Sequence, residues 1–351
     1  MINLLKFCLI FSCLWISASG LARSTNPAVD TTANVDVDPF IRQRADPFIT
    51  KGHDGTYYFM ATVPEYDRLE IRKAKTIKGL QGAEAKVIWR KHAQGPMGNH
   101  IWAPELHHID GVWYIYFAAG SAEDKWKIRK YVLANTNSDP TQGTWKEAGE
   151  LQSKQNEFSL DATTFALGKK RFMVWVDRAS THEVNTGLYI AEMDSPTRLA
   201  EKQVVISLPE YDWEKKGHNV NEGPAVLLRH GKVFLVYSAS ATDATYCMGL
   251  LWADQQSDLL DPASWHKLEK PVFFTNAAWK RFGPGHNSFT VAEDGKTDIM
   301  VYHARDYEAI VGEPLYDPNR HTRIRVLKWR EDGMPDFGQE ASDRAFSDGK
   351  L

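Results

Sequence analysis

The chain has 351 residues, with 42 lysines and arginines against 45 aspartates and glutamates, which gives a formal net charge of −3. Charged residues make up 25% of the chain and hydrophobic residues 43%, a composition that is typical of a globular protein and argues against disorder. Because there is no surplus of basic residues, the sequence predicts neither nucleic acid nor an anionic membrane as a partner.

Residues 1–22 have the pattern of a secretory signal peptide. Lys6 supplies a positive charge, an apolar run of about ten residues follows it, and small residues end the segment at Ala22. That run is too short to cross a bilayer, which takes about 20 residues. We therefore predict a secreted or periplasmic protein. Once the leader is removed, Cys247 is the only cysteine, so no internal disulfide is expected.

Residues 23–38 are rich in Thr, Asn, Asp and Val and contain no aromatic residue, which predicts an extended N-terminal arm. A repeat begins after this arm and continues through most of the remaining chain. Because the repeat is continuous, residues 39–351 are predicted to form a single domain.

The repeat consists of five units, each opened by a short polar segment. Taking one residue of each segment, the spacing runs from 56 to 64 residues. A tight-turn signal and an aromatic-rich run follow each segment, and two further strand-like runs complete the unit. Four strands repeated five times predict an all-β protein, a five-bladed β-propeller. The alternative is an irregular β-sandwich, which would not need similar opening segments. The segments are Ala45-Asp46-Pro47, Ile101-Trp102-Ala103-Pro104-Glu105, Ser159-Leu160-Asp161-Ala162, Asn221-Glu222-Gly223-Pro224 and Gly285-His286-Asn287-Ser288.

In a propeller the first strand of each blade lines the axis, so the five opening segments are expected to converge. This places Asp46, Trp102, Asp161, Glu222 and His286 near one point. Singly, each acid has a simple explanation as a strand-end cap or ion-pair partner, but three acids forced together cost stability and indicate a site. Glycoside hydrolysis requires one protonated and one ionised carboxyl group, and a third can raise the pKa of the acid.

The opening segments, together with Tyr302-His303-Ala304-Arg305, resemble those of family 43 glycoside hydrolases. These enzymes are five-bladed propellers that act on arabinose- and xylose-containing plant polysaccharides, and the resemblance runs from about residue 38 to residue 337. It implies that Asp46 is the general base, Asp161 the residue that modulates pKa, and Glu222 the general acid. It also implies inversion of configuration, with the base and the acid about 6.5 to 9.5 Å apart.

Residues 62–76 are similar to the branch of exo-acting α-1,5-L-arabinofuranosidases. This resemblance implies release of L-arabinose from the non-reducing ends of α-1,5-linked arabinan or arabino-oligosaccharides. The expected partner is an arabinose-containing plant polysaccharide or oligosaccharide, acted on by a monomer.

Five further assignments concern substrate and metal. Trp102 is a candidate stacking platform for a sugar ring and Phe48 a second wall. Arg305 has the geometry to donate two hydrogen bonds to adjacent sugar hydroxyls. Tyr66 is the candidate obstruction that would enforce exo action. His286 resembles the axial histidine that many relatives place near a structural calcium ion, bound through water, and no cofactor is required for the reaction.

Several alternatives stay open at the level of sequence. An endo-arabinanase or a β-xylosidase of the same family would keep the chemistry, since an open groove favours endo action and a closed pocket favours exo action. A catalytically silent sugar-binding propeller is a second class, against which the three acids argue. Retaining fructan-active propellers are a third, but their Trp-Met-Asn-Asp-Pro opening is absent.

Overall fold

The computed structural model describes residues 38–179 and 186–338, so the predicted signal peptide and most of the predicted arm lie outside the described residues. The chain divides into Met1–Thr31 and Thr32–Leu351, and every described residue belongs to the second unit. Apart from β-strands, this part of the chain contains single 3₁₀ turns, none of them a helix that could span a bilayer. The turns are Lys78–Leu80, Asp212–Glu214, Pro262–Ser264, Ala277–Trp279 and Pro314–Tyr316.

The strands form five antiparallel blade sheets in chain order and one further two-stranded sheet, which confirms the five-bladed propeller. Blade one contains β1 (Ala45–Lys51), β2 (Tyr57–Thr62), β3 (Arg68–Ala74) and β4 (Lys86–Arg90). Blade two contains β5 (Asn99–Ile109), β6 (Val112–Gly120), β7 (Arg129–Asn135) and β8 (Lys146–Glu150). Blade three contains β9 (Leu160–Leu167), β10 (Lys170–Asp177), β11 (Gly187–Ser195) and β12 (Arg198–Ser207). Blade four contains β13 (Asn221–Arg229), β14 (Lys232–Ala239), β15 (Cys247–Asp254) and β16 (His266–Lys267).

Blade five has three strands rather than four: β17 (Phe282–Val291), β18 (Asp298–Arg305) and β19 (His321–Val326). The third strand of this blade, β19, ends at Val326. After Leu327 the chain forms β20 (Lys328–Trp329), which pairs with β21 (Pro335–Asp336) in a separate hairpin.

Burial explains why the second strand of a blade is almost wholly apolar. All six residues of β2 are buried, whereas the outermost strand β8 is exposed along most of its length. A middle strand has a neighbouring blade against both of its faces, so it needs no polar side. Five apolar clusters fill the spaces between blades: four of them join two neighbours, and the fifth takes residues from blades one to four. One of them packs Ile49 and Phe59 of blade one against Val301 and Ile324 of blade five, which closes the ring.

The residues just before β1 also tie the first blade to the last. Ile41 and Thr322 exchange two backbone hydrogen bonds of 3.2 and 2.9 Å. The N–H of Gln43 donates to Nδ1 of His321 at 3.0 Å, and Asp38 pairs with Arg323. The ring is therefore fastened by hydrogen bonds and charge as well as by its apolar core.

Each innermost strand has a β-bulge close to its start, and one residue in each bulge has a positive φ. These residues are Asp46 (51°), Ala103 (45°), Asp161 (50°), Gly223 (53°) and His286 (44°). Register shifts against the second strand of the blade mark the same places. The true equivalents of Asp46 are thus Ala103 and Gly223, so Trp102 and Glu222 each precede their repeat position by one residue. A bulge re-aims consecutive side chains, which brings Trp102 and Glu222 to the same pocket as Asp46.

Candidate active site

A pocket of about 700 Å³ opens where the five innermost strands begin. The structure brings together in its lining all five residues that the repeat predicted to converge. These are Asp46, Trp102, Asp161, Glu222 and His286. Three carboxyl groups, an imidazole and an indole therefore share one cavity, although their positions span 241 residues of the chain.

Asp46 is held as an ionised carboxylate. Its Oδ2 accepts a hydrogen bond of 2.6 Å from the hydroxyl of Thr62. Its Oδ1 lies 3.3 Å from Nδ1 of His286 and 3.5 Å from Nη1 of Arg320. Burial by itself would raise the pKa of Asp46, but the charges of His286 and Arg320 hold that pKa well below its usual range. The pocket therefore contains a carboxylate that stays charged at neutral pH.

His303 supports Asp46 from the side of blade five. Its Nδ1 accepts the backbone N–H of Asp46 at 3.1 Å, and the residue is 1% exposed. Burial lowers the pKa of His303 to about 3, so the ring is neutral and carries its proton on Nε2. A parallel contact with the ring of Tyr246, at 5.7 Å between centroids, fixes the imidazole plane.

Glu222 is the opposite case, a carboxyl group that holds its proton near neutral pH. Burial and the neighbouring charge of Asp161 raise the pKa of Glu222 to about 7. The hydroxyl of Tyr246 donates a hydrogen bond of 2.7 Å to Oε1 of Glu222 and opposes part of this rise. A protonated carboxyl and an ionised one in a single pocket are the pair that general acid and base catalysis requires.

Asp161 is linked to the acid through the backbone. Its Oδ2 accepts the N–H of Gly223 at 3.0 Å, and burial raises the pKa of Asp161. Gly223 also lies close to His286, because a Cβ at position 223 would be only 3.0 Å from Cγ of that ring. The contact keeps the backbone beside Glu222 against both Asp161 and His286.

His286 lies among the three carboxyl groups. Burial would lower the pKa of His286, but the charges of Asp46, Asp161 and Glu222 outweigh it and raise that pKa. The residues described contain no group of three or more His, Cys, Asp or Glu side chains that could hold a metal ion. The calcium ion predicted near His286 was expected to bind through water, so that site stays a prediction.

The remaining sequence-based assignments are partly corrected. Trp102 lines the pocket and stacks on His100, with ring centroids 4.2 Å apart. Phe48 does not line the pocket, because its ring packs against His107 at 5.1 Å. Tyr66 is 7% exposed and packs edge to face on Trp102, with ring centroids 5.6 Å apart, and it is not among the residues that line this pocket.

Arg305 does not reach the pocket either. Its guanidinium donates hydrogen bonds of 2.7 Å to the carbonyls of Thr242 and Pro314, and its Nε donates to Asp317 at 3.2 Å. Arg305 is 1% exposed and is not among the residues that line the pocket, so the assignment of Arg305 to substrate binding is corrected. The residue instead holds the blade-five loop that contains the turn Pro314–Tyr316.

Sequence reasoning missed other pocket residues, among which are Trp126, Phe158, Tyr246, Leu315 and Arg320. All of them lie in connecting segments or at strand ends outside the five opening segments. For Phe158 a signal existed, because it immediately precedes the third opening segment. For the others no periodic pattern marks the position.

The comparisons with known proteins agree with this geometry. The sequence profile of glycosyl hydrolases family 43 matches residues 37–335. The chain is 52% identical over 322 residues to the extracellular exo-α-(1→5)-L-arabinofuranosidase of Streptomyces avermitilis, covering 92% of this chain and 66% of that protein. It is 53% identical over 277 residues to the protein of the same name from Streptomyces chartreusis, covering 79% of this chain and 84% of that protein. The crystal structure of the α-L-arabinofuranosidase from Lactobacillus brevis matches with a TM-score of 0.84 at 50% identity, covering 88% of this chain and 97% of that one.

Proposed function

The chain belongs to family 43 of the glycosyl hydrolases, and we propose on this basis that it is an exo-acting, inverting α-L-arabinofuranosidase. Its substrate is α-1,5-linked arabinan or arabino-oligosaccharide, from whose non-reducing ends it releases L-arabinose. The observation that carries the proposal is the pair of Glu222, with its pKa raised to about 7, and the ionised Asp46 in one pocket. Relatives named extracellular exo-α-(1→5)-L-arabinofuranosidases support the linkage, the mode of action and an exported location.

The two carboxyl groups divide the chemistry. Asp46 takes a proton from a water molecule while the oxygen of that water attacks the anomeric carbon. Glu222 gives its proton to the departing glycosidic oxygen. The bond from carbon to the leaving oxygen breaks as the bond to the water oxygen forms, which inverts the anomeric centre. Asp161 keeps the pKa of Glu222 high through its charge. The reaction needs no cofactor, because both proton transfers use side chains of this chain.

Exo action is supported by a wall that blade five contributes. Leu315 lines the pocket, and its carbonyl accepts the hydroxyl of Tyr66. The hydroxyl of Tyr316 lies 2.8 Å from Nζ of Lys125 and 3.3 Å from Nε2 of His100, so the blade-five turn reaches across to blade two. A wall on this side blocks a continuing chain, which is what release of a terminal sugar requires.

The stereochemical course tests the proposed function. Incubation of the protein with α-1,5-arabinotriose, followed by proton NMR at early times, should show β-arabinose forming before mutarotation produces the α-anomer. Initial appearance of the α-anomer would indicate a covalent intermediate and contradict the role of Asp46 as a base. Release of xylose from nitrophenyl xyloside at a comparable rate would instead favour a β-xylosidase, and early arabino-oligosaccharide products from linear arabinan would favour an endo-arabinanase.

Removing the Tyr246 hydroxyl should move the pH profile. In Tyr246→Phe the hydrogen bond that stabilises the charged form of Glu222 is lost, so its pKa should rise above about 7. The acid then keeps its proton to higher pH, and the alkaline limb of kcat/KM for arabinotriose should shift upward. An alkaline limb that stays in place would show that Tyr246 does not set the protonation of Glu222. Because Tyr246 also packs on His303, the melting temperature of the variant is the control for folding.

A further inference from the structure

Trp126 stands apart from the other tryptophans in the described stretches. It is the most exposed of them, with 47% of its surface accessible, yet it lines the pocket. Trp102, whose ring centroid lies 6.2 Å from that of Trp126, is only 7% exposed. A large apolar ring left open to solvent at a pocket is a candidate ligand contact rather than a packing residue.

The loop that presents Trp126 is well ordered by hydrogen bonds. The N–H of Trp126 donates to Oδ1 of Asp124 at 3.0 Å, and the side chain of Ser121 accepts the N–H of Asp124 at 2.9 Å. The indole also meets the ring of His100 edge to face, with centroids 5.0 Å apart. These contacts fix the ring in place, so little side-chain entropy is lost when a ligand stacks on the ring.

Phe158 extends the same apolar surface. Its ring centroid lies 6.4 Å from that of Trp126 with 31° between the planes, and both rings line the pocket. The backbone of Phe158 has φ of +48°, a conformation that a bulky side chain rarely adopts. Such strain persists where the surroundings impose it, and it is concentrated at functional sites. The guanidinium of Arg178 lies over the Phe158 ring, with its Cζ 5.7 Å from the ring centroid.

We propose that Trp126 and Phe158 form the binding platform for the leaving-group sugar, the arabinose that follows the bond to be cleaved. The inference rests on the proposed function and adds the subsite beyond the terminal sugar. The terminal arabinose must reach the buried Asp46, so the rest of the chain has to leave through the mouth of the pocket, where Trp126 is exposed. The C–H face of a furanose ring matches an apolar aromatic surface.

Paired substrates test the platform. Trp126→Ala should lower kcat/KM for α-1,5-arabinotriose about tenfold, since it removes the apolar area that a second sugar covers. The same variant should hydrolyse methyl α-L-arabinofuranoside, whose leaving group is too small to stack, within twofold of wild type. Trp126→Phe should recover part of the loss on arabinotriose. Phe274→Ala removes an aromatic side chain of similar exposure (43%) outside the pocket and should change neither rate.

Three outcomes would count against the platform. Equal losses on both substrates would show that Trp126 only supports the pocket, and an unchanged rate on arabinotriose would show that the second sugar binds elsewhere. In either case the wild-type protein still releases arabinose, and the proposed function stands. Wild-type protein that hydrolyses neither substrate would overturn the proposed function itself and the platform with it.

Discussion

Asp46→Asn should reduce hydrolysis of every substrate, at the upper end of the roughly 10²- to 10⁴-fold range for loss of a general base. Water must be deprotonated whatever group departs, so the loss of rate should be as large for a substrate with a good leaving group. The amide keeps an oxygen that can accept from Thr62, which preserves the local structure. Rates on arabinotriose and on nitrophenyl arabinofuranoside should therefore fall together.

A matched control for this variant is available on the surface. Asp254 pairs with Lys232 at 3.0 Å and its side chain is 60% exposed, so Asp254→Asn makes the same chemical change outside the pocket. It should leave both rates unchanged. If Asp46→Asn retained substantial activity on nitrophenyl arabinofuranoside, the role of general base would have to pass to another group.

Glu222→Gln should slow the hydrolysis of arabinotriose much more than that of nitrophenyl arabinofuranoside. Loss of the general acid should slow arabinotriose hydrolysis by about 10²- to 10⁴-fold, because the sugar alkoxide is a poor leaving group without a proton. Nitrophenolate departs with little assistance, so the loss on nitrophenyl arabinofuranoside should be much smaller. Since the pKa of Glu222 is raised to about 7, the alkaline limb near neutral pH should disappear from the profile of the variant on the activated substrate.

The outcome that contradicts this assignment is an equal loss on both substrates. Such a result would mean that Glu222 positions the sugar or stabilises the pocket rather than protonating the leaving oxygen. Because glutamine can still accept the hydrogen bond from Tyr246, a change in melting temperature is not expected, and its absence would confirm that the comparison is between folded proteins.

The sequence predicts the propeller well because its signals are local and repeated five times. Turn residues and aromatic runs at a period of about 60 residues lead to blades, and blades lead to convergence of Asp46, Asp161 and Glu222. The exact register escaped prediction at Trp102 and Glu222, because a bulge inserts one residue and the repeat positions are Ala103 and Gly223. The period alone does not show which of two adjacent residues has the positive φ.

The pocket walls were harder to predict, for a different physical reason. Leu315 and Arg320 reach the pocket because the blade-five loop folds back over blade one, a path that no strand pattern encodes. Arg305 was assigned to sugar because of its motif, but its guanidinium binds Pro314 and Asp317 of the same loop and the carbonyl of Thr242 in blade four. An arginine at a strand end can face the pocket or a loop, and the path of the loop determines which of the two its guanidinium binds.

Closure of the ring has a consequence for when the protein acquires its activity. Asp46 follows closely on the start of the first blade, whereas His303, which accepts its N–H, comes 257 residues later, and Arg320 comes later still. Contacts between such distant positions are slow to form, since the intervening chain must first be ordered. A nascent chain that carries four finished blades holds Asp46 without the neighbours that keep it ionised and in place. Competence for hydrolysis therefore arrives in a single step, when the last blade docks against the first, rather than growing as blades are added.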